Sequence, residues 1–368
     1  MMSARFLTVV LERAFNMRDG FGREIDYMRI SVIDSCNLNC YYCNPCDNNE
    51  HCHALNILSV KEVLCIVRAA TRLGIKHFRL TGGEPLLHPQ LDEMVLQIKK
   101  IPGVSSVSLT TNAVLLAQHA KWLKEAGIDS INVSLDTIDA SEYERITKKP
   151  LLEEVKHGIN AAIECGIRVK INVVLTPQTD VVALTRYASK KGTDIRFIEM
   201  MPVGEGHTNG VEPYEKVIGA LLEVYGTPCH IDTENRDEIN SGYNNADNGP
   251  AEYYSFHGLN IRVGLIQAIH GKFCDTCNRI RVTADGRLMP CLGSSVTMDL
   301  VPDSCEFIDD LEKDFVIVQA LKAAIKAKPG CHNFNDNAVT YTKTTETKTT
   351  EIEAAEVNAA RNMSRIGG

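Results

Sequence analysis

The sequence predicts an α/β fold, an incomplete (β/α)6 TIM-like barrel followed by a small C-terminal domain. Three observations carry that prediction. Six short apolar, partly β-branched runs recur between Tyr27 and Glu199, most of the gaps between them hold a helix pattern, and chemistry-bearing side chains gather near the ends of the runs. The runs are Met28 to Ile33, His77 to Leu80, Val104 to Leu109, Ser130 to Leu135, Val169 to Leu175 and Ile195 to Ile198. Alternation of strand and helix signals makes a parallel sheet with helices outside.

The elements follow in chain order. After the first run, Ser59 and Glu62 form a capping box, Val60, Val63, Leu64 and Val67 share one helical face, and Gly74 stands where a left-handed cap ends the helix. Gly127 and Gly166 end later helices in the same way. In barrels of this kind the chemistry lies at the C-terminal ends of the strands. The first run leads into a cysteine-bearing loop, Arg79 and Gly83 end the second, Thr110 the third and Ser134 the fourth, while Lys170 and Arg196 lie in the fifth and sixth. Taken singly, each has a plain structural use: Thr110 and Ser134 can bond local backbone, Lys170 can be solvated, and Arg196 can pair with Glu199.

From about Pro202 the pattern changes. Tyr214 to Tyr225 reads as a helix, Asp232 to Asn248 as an exposed polar loop, and Tyr253 to Gln267 and Arg279 to Leu288 as strands, with Ala284-Asp285-Gly286 as a turn. Residues 340 to 350 hold seven Thr and read as a tether, Glu351 to Arg361 reads as helical, and the sequence closes on Gly367-Gly368. The expected division is an N-terminal arm at 1–24, the barrel at 25–212, the C-terminal domain at 213–339, and a tether and tail at 340–368.

Composition narrows the function classes. With 44% hydrophobic and 23% charged residues the chain is globular, and no apolar run approaches the roughly 18 residues of a membrane span. A net charge of -8 argues against a nucleic-acid partner, which calls for an excess of Lys and Arg. A small anionic substrate stays open, because local arginines decide that. Thirteen cysteines, an odd number grouped in metal-like spacings with no secretory leader ahead of them, predict a reducing cytoplasm.

Two of those groups carry the chemistry. Cys36, Cys40 and Cys43 stand as C-x3-C-x2-C, and Cys274, Cys277 and Cys291 as C-x2-C-x13-C. Thiolates suit iron-sulfur clusters or zinc. A structural zinc site closes with four ligands. Three thiolates on a cubane of four irons leave one iron open to another ligand. Cys46, His51, Cys52 and His53 keep zinc as an alternative at the first trio; Asn37, Asn39, Tyr41, Tyr42 and Asn44 make its loop polar, unlike a core strand of structural cysteines.

The C-x3-C-x2-C frame, with Tyr42 just before the third Cys and Thr81-Gly82-Gly83-Glu84-Pro85 after it, resembles the radical SAM superfamily. Alone, a Gly-Gly-Glu-Pro run is an ordinary strand-to-loop turn. With both trios counted, the chain from about residue 19 onward resembles the GTP 3',8-cyclases of molybdenum-cofactor biosynthesis, the MoaA type. The resemblance lies in Asp19-Gly20-Phe21-Gly22-Arg23, Arg29-Ile30-Ser31-Val32, Leu109-Thr110-Thr111-Asn112, Asn132-Val133-Ser134-Leu135-Asp136, Arg196-Phe197-Ile198-Glu199-Met200-Met201-Pro202 and Phe273-Cys274-Asp275-Thr276-Cys277-Asn278-Arg279-Ile280-Arg281.

The resemblance implies a 4Fe-4S cluster on Cys36, Cys40 and Cys43 that binds S-adenosyl-L-methionine, and a second on Cys274, Cys277 and Cys291 whose free iron meets the guanine of GTP. It implies SAM contacts at Tyr42, Gly83, Ser134 and Met201, and GTP contacts at Arg29, Arg79, Thr110, Lys170, Arg279 and Arg281, with Arg196 nearby. The implied reaction is abstraction of the ribose 3' hydrogen, attack on guanine C8 and one-electron reduction. It further implies an electron donor of flavodoxin or ferredoxin type, a cyclic pyranopterin monophosphate synthase downstream, a homodimer as one arrangement, and a Gly367-Gly368 tail that closes the site. Asn44, where the family usually has Met, the extra Cys46 and the long acidic loop and tether depart from that pattern. A radical SAM enzyme acting on a peptide, or a ferredoxin-type electron carrier, are the competing readings; the first predicts no phosphate-binding Arg and Lys at the strands, the second four cysteines per cluster.

Overall fold

The strands alternate apolar and polar side chains, an unusual pattern for a parallel sheet, whose strands normally read as continuous apolar runs. In the computed structural model, which describes residues 17–43, 56–202, 214–231, 249–294, 296–300, 310–332 and 334, β1 spans Tyr27–Ser31, β2 His77–Thr81, β3 Ser106–Thr111, β4 Ser130–Ser134, β5 Arg168–Val174 and β6 Asp194–Ile198. All six expected strands are present. Each bound agrees with the expectation to within about two residues, the usual slack at element ends. Pairing is parallel at every step from β1 to β6. Intervening helices are α1 (Val60–Thr71), α2 (Leu91–Lys99), α3 (Leu116–Glu125), α4 (Ala140–Thr147), α5 (Leu152–Glu164) and α6 (Val181–Lys191).

Local chemistry sets these helices. Ser59 Oγ accepts from the Glu62 backbone N–H while Glu62 accepts from Ser59 N, so the capping box is complete at α1. Asp139 and Asp180 cap α4 and α6 through the amides of Glu142 and Ala183. Gly74, Gly127 and Gly166 take positive φ just past α1, α3 and α5, as the sequence predicts. The buried apolar positions of the strands, among them Met28, Ile30, Phe78, Leu80, Val107, Leu109, Ile131, Val133, Ile171 and Phe197, form one core with the helices.

The sheet does not close on itself. Beyond the six strands the chain forms α7 (Tyr214–Tyr225), then β7 (Cys229–Ile231), β8 (Glu252–Ser255), β9 (Val263–Ile266), β10 (Arg279–Val282), β11 (Arg287–Met289), β12 (Met298–Asp299) and α8 (Asp310–Lys326). β10 pairs parallel with β1, and β9 parallel with β6. Eight consecutive strands are therefore parallel, in the order β10-β1-β2-β3-β4-β5-β6-β9, with antiparallel β11, β12 and β8, β7 outside them. An incomplete TIM-like barrel is the result. α8, which the sequence reading did not predict, packs on α1, and its Asp314 pairs with Arg72 at 3.0 Å. No helix among the described residues is long and apolar enough to cross a membrane.

Several expectations lie outside the described residues: the arm before Met17, Asn44, Cys46, His51, Cys52 and His53, the acidic loop from Asp232 to Asn248, the threonine-rich tether, the helix from Glu351 to Arg361 and the Gly367-Gly368 tail.

Gly158 shows how closely the helices pack. A Cβ there would stand 2.4 Å from the Ala113 carbonyl, whereas one on Gly219 in α7 would meet nothing within 4 Å. In an open helix, Gly to Ala stabilises by up to about 1 kcal/mol. Gly219→Ala should follow that rule, and Gly158→Ala should instead destabilise by about 1–3 kcal/mol through overpacking, as denaturant unfolding midpoints of the two variants will show.

Candidate active site

One face of the sheet points inward, and it is polar. A TIM barrel ordinarily fills its interior with branched apolar side chains. Here successive residues of one pleat face are Tyr27, Arg29 and Ser31 on β1, His77, Arg79 and Thr81 on β2, Ser106, Ser108 and Thr110 on β3, Ser130, Asn132 and Ser134 on β4, Lys170 and Asn172 on β5, Asp194 and Arg196 on β6, and Arg279 and Arg281 on β10. Register then assembles them: Tyr27 lies opposite Arg279, Arg29 opposite both Arg281 and Arg79, Thr110 opposite Asn132, and Asn132 opposite Lys170.

Four arginines thus surround one phenol. Arg79 Nε donates to the Tyr27 hydroxyl, and the guanidinium groups of Arg279 and Arg79 lie 5.6 and 6.0 Å from the Tyr27 ring centroid. Burial pushes that phenol up, but Arg79, Arg29 and Arg279 outweigh it and hold it below the usual value. The same crowding acts on the cations. Burial, reinforced by Arg281, holds Arg29 well below the ordinary guanidinium range, and burial together with Arg279 brings Arg281 down to about 10. A buried group of like charges has a strong preference for an anion, and guanidinium forks suit phosphate oxygens.

The remaining predicted residues sit along the same lumen. Lys170 is 1% exposed and Arg79 4%. Thr110 Oγ1 is a buried polar atom with no hydrogen-bond partner among the described residues. Arg196 Nε donates to Asn172 Oδ1 at 2.8 Å, and the missing side chain of Gly264 makes its room, since a Cβ there would stand 2.8 Å from Arg196 Cγ. Ser134 is exposed at the end of β4, and Met201 is half-buried just beyond β6. Sequence reasoning put Arg79 at the end of the second strand; it lies at the middle residue of β2, deeper in the lumen.

β1 runs into the first cysteine loop. Cys36 is exposed and Cys40 and Cys43 are half-buried; the Cys43 amide donates to the Cys40 carbonyl at 2.9 Å, and Asn39 and Tyr41 amides tie the loop to Thr147 and Ile146 at the end of α4. The Tyr42 hydroxyl donates to Asp136 Oδ2 at 2.5 Å, and Asp136 also accepts from Val174 N. Gly82 and Gly83 press against the backbone that leads to Cys36: a Cβ on Gly83 would stand 2.1 Å from the Ser35 carbonyl. Glu84, buried, accepts from Leu86 N, Thr111 Oγ1 and Asn112 N, and burial raises its carboxyl to about 7. Asn112 Nδ2 in turn reaches Cys36 Sγ at 3.8 Å.

The second trio lies at the other end. Cys274 and Cys277 flank a short turn directly ahead of β10, so they adjoin the N-terminal end of β1, while Cys36 adjoins its C-terminal end. A five-residue strand separates the two, roughly 17 Å at the usual rise. The arginines occupy that interval. Buried Lys328 donates to the carbonyls of Arg279 and Pro290, and Arg23 donates to those of Cys274, Pro329 and Gly330. A cleft lined by Gly249, Pro250, Phe273, Thr276, Cys277, Asn278 and Arg279 opens there.

Each trio is a set of three thiols, a donor set that suits an iron-sulfur cluster. Burial pushes the Cys36 thiol up to about 11 and, with Cys43 and Asp136, raises Cys40 well above the ordinary thiol value. Burial also raises the Cys277 thiol, but Lys328 and Arg279 outweigh it and hold it below the ordinary value. Among the described residues no three His, Cys, Asp or Glu side chains converge on one metal position. A cubane needs no such convergence, because each thiolate takes its own iron.

Sequence reasoning missed Tyr27, Asp136, Glu84, Asn112, Arg23 and Lys328 as parts of the site. All but Tyr27 and Lys328 stand inside motifs already singled out; those two have only their place beside Arg29 and Cys291 in the fold.

Fold and first cysteine loop define the class, a radical SAM protein. Residues 30–185 match the radical SAM superfamily, and residues 193–334 match the family described as Molybdenum Cofactor Synthesis C. The GTP 3',8-cyclase of Clostridium perfringens is 36% identical over 322 residues, 86% of this chain and 95% of that protein; that of Pelotomaculum thermopropionicum is 37% identical over 324 residues, again 86% and 95%. The chain belongs to the GTP 3',8-cyclase family. In fold it also resembles Streptococcus suis SuiB, solved with S-adenosylmethionine (TM-score 0.55, 14% identity, 80% of this chain and 65% of that one) and with precursor peptide SuiA (TM-score 0.56, 15% identity, 95% and 72%).

Gly83 gives a sharp test of how the first loop is built. Gly83→Ala should displace the backbone at Ser35 and prevent loading of the first trio, so that reconstituted iron falls to about four per chain. Full iron with loss confined to S-adenosylmethionine binding would contradict this packing role.

Proposed function

We propose that the chain catalyses conversion of GTP to 3',8-cyclo-7,8-dihydroguanosine 5'-triphosphate, as a lyase, in the first step of molybdopterin biosynthesis. One observation supports this most: Arg29, Arg79, Arg279 and Arg281 meet around Tyr27 midway between the two cysteine trios. A nucleoside triphosphate carries roughly four negative charges near neutral pH and matches that group of cations. A peptide substrate gives no reason for it, and an electron carrier gives none for a lumen.

Cys36, Cys40 and Cys43 would hold one 4Fe-4S cluster and Cys274, Cys277 and Cys291 the other. When bound, these clusters with S-adenosyl-L-methionine supply the one-electron cleavage that yields a 5'-deoxyadenosyl radical, together with an open iron at each end. The chain's own residues do the rest. Tyr42, Gly83, Ser134 and Met201 line the end at which S-adenosyl-L-methionine would lie, and Arg29, Arg79, Thr110, Lys170, Arg279 and Arg281 would orient the nucleotide so that its ribose 3' carbon faces that end. Orientation of this kind replaces a bimolecular encounter by a fixed approach. A carbon radical takes almost any nearby hydrogen, so exclusion of water and of other C–H groups is the protein's second task. An electron donor of flavodoxin or ferredoxin type, a homodimer, a cytoplasmic setting and a downstream cyclic pyranopterin monophosphate synthase complete the reading.

An anaerobic assay with dithionite, S-adenosyl-L-methionine and GTP, reading 5'-deoxyadenosine and cyclised nucleotide together, tests it. Arg279→Ala should weaken GTP binding on the order of tenfold or more while leaving reductive S-adenosyl-L-methionine cleavage nearly unchanged. Equal losses in both would reject the division of the lumen.

A further inference from the structure

Tyr27 stands among the lumen arginines and has no part in the assignments above. It is the first residue of β1, 6% exposed, and its hydroxyl accepts from Arg79 Nε. Both neighbouring strands fix its place. Register sets Tyr27 opposite Arg279 on β10 and His77 on β2, and its backbone N–H donates to the Asn278 carbonyl at 3.3 Å. His77 is engaged elsewhere, since its Nδ1 shares a hydrogen bond with Ser106 Oγ at 2.8 Å.

A phenol hydroxyl can both accept and donate, whereas a guanidinium only donates. Arg79 therefore uses the acceptor side of the Tyr27 oxygen, and among the described residues the hydroxyl has no second hydrogen-bond partner to take its proton. The arginines around it cannot serve. Arg29 follows two residues on along the same face of β1, Arg279 lies 5.6 Å from the ring centroid, and Arg281 stands opposite Arg29. A buried O–H among donors calls for an acceptor from outside. The same arginines hold the phenol below its usual value, which makes its O–H a stronger donor.

We propose that the Tyr27 hydroxyl is a direct ligand of the triphosphate, donating a hydrogen bond to a phosphate oxygen held among Arg29, Arg79 and Arg279. This rests on the reading of the lumen as a nucleoside triphosphate site. Arginines attract an anion of almost any shape, whereas a hydroxyl aimed by β1 and by Arg79 fixes where one oxygen must lie.

The test compares the unaltered, cluster-loaded chain with Tyr27→Phe, which keeps the ring and removes the hydroxyl, in equilibrium binding of inorganic tripolyphosphate, GTP and guanosine. Tyr27→Phe should hold the same iron, bind tripolyphosphate and GTP about tenfold or more weakly, and bind guanosine as before, as the loss of one hydrogen bond to a charged group requires. Unchanged tripolyphosphate affinity would overturn the proposal and leave the GTP reading standing, and an equal loss for guanosine would overturn it as well. Tripolyphosphate binding that depends on Tyr27 in a chain that does not bind GTP would support the phosphate contact and overturn the GTP reading. A second comparison separates contact from bracing of Arg79. In an Arg79→Ala background Tyr27→Phe should still weaken tripolyphosphate several-fold, and no further loss there would mean that the hydroxyl acts only through Arg79, which would sink the proposal.

Discussion

Everything functional here depends on β10 lying parallel beside β1. That pairing sets Tyr27 against Arg279 and Arg29 against Arg281, and it fixes the second cysteine trio at the end of β1 opposite the first. Strand geometry then determines the interval between the trios, roughly 17 Å along a five-residue strand. Had β10 paired antiparallel, its preceding cysteines would have reached the same end as Cys36. The lumen would have lost its two poles.

Within that lumen, charge is arranged against the whole-chain balance. The net charge is -8, yet the interior between the trios carries Arg29, Arg79, Arg279, Arg281 and Lys170 in largely buried positions. Buried cations of one sign oppose folding unless something pairs with them. Arg79 donates to the Tyr27 hydroxyl and to the Leu109 carbonyl, and a triphosphate would add negative charge to the same interior. The loops at each pole are braced by side chains that touch backbone: Glu84 on Leu86 and Asn112, Asp136 on Val174, Arg23 on Cys274, and Lys328 on Arg279 and Pro290. Such outer contacts fix ligand loops before any cofactor arrives.

Much of this was legible in the chain. The six strands and their helices were readable because β-branched runs, the Ser59–Glu62 box and the glycines after α1, α3 and α5 all follow local rules. The two cysteine trios stood out by their spacing, and the fold places them at opposite ends of β1. What escaped was long-range. Nothing near Lys328 marks it as a brace for the backbone at the start of β10, since its bond to the Arg279 carbonyl crosses about 50 residues of sequence. Arg79 was read as a strand-end residue because a short run of apolar residues ends beside it; register with Arg29 and Ser108 places it deeper. The role of Gly83 as a packing surface for Ser35 also needed coordinates, because a close backbone approach leaves no periodic trace.

Two cubane clusters, one on each cysteine trio, are the central claim, and elemental analysis addresses it most directly. Anaerobically reconstituted chain should contain about eight irons and about eight acid-labile sulfides, the content of two cubanes, with no zinc. About four of each, or zinc in place of iron at either trio, would contradict it.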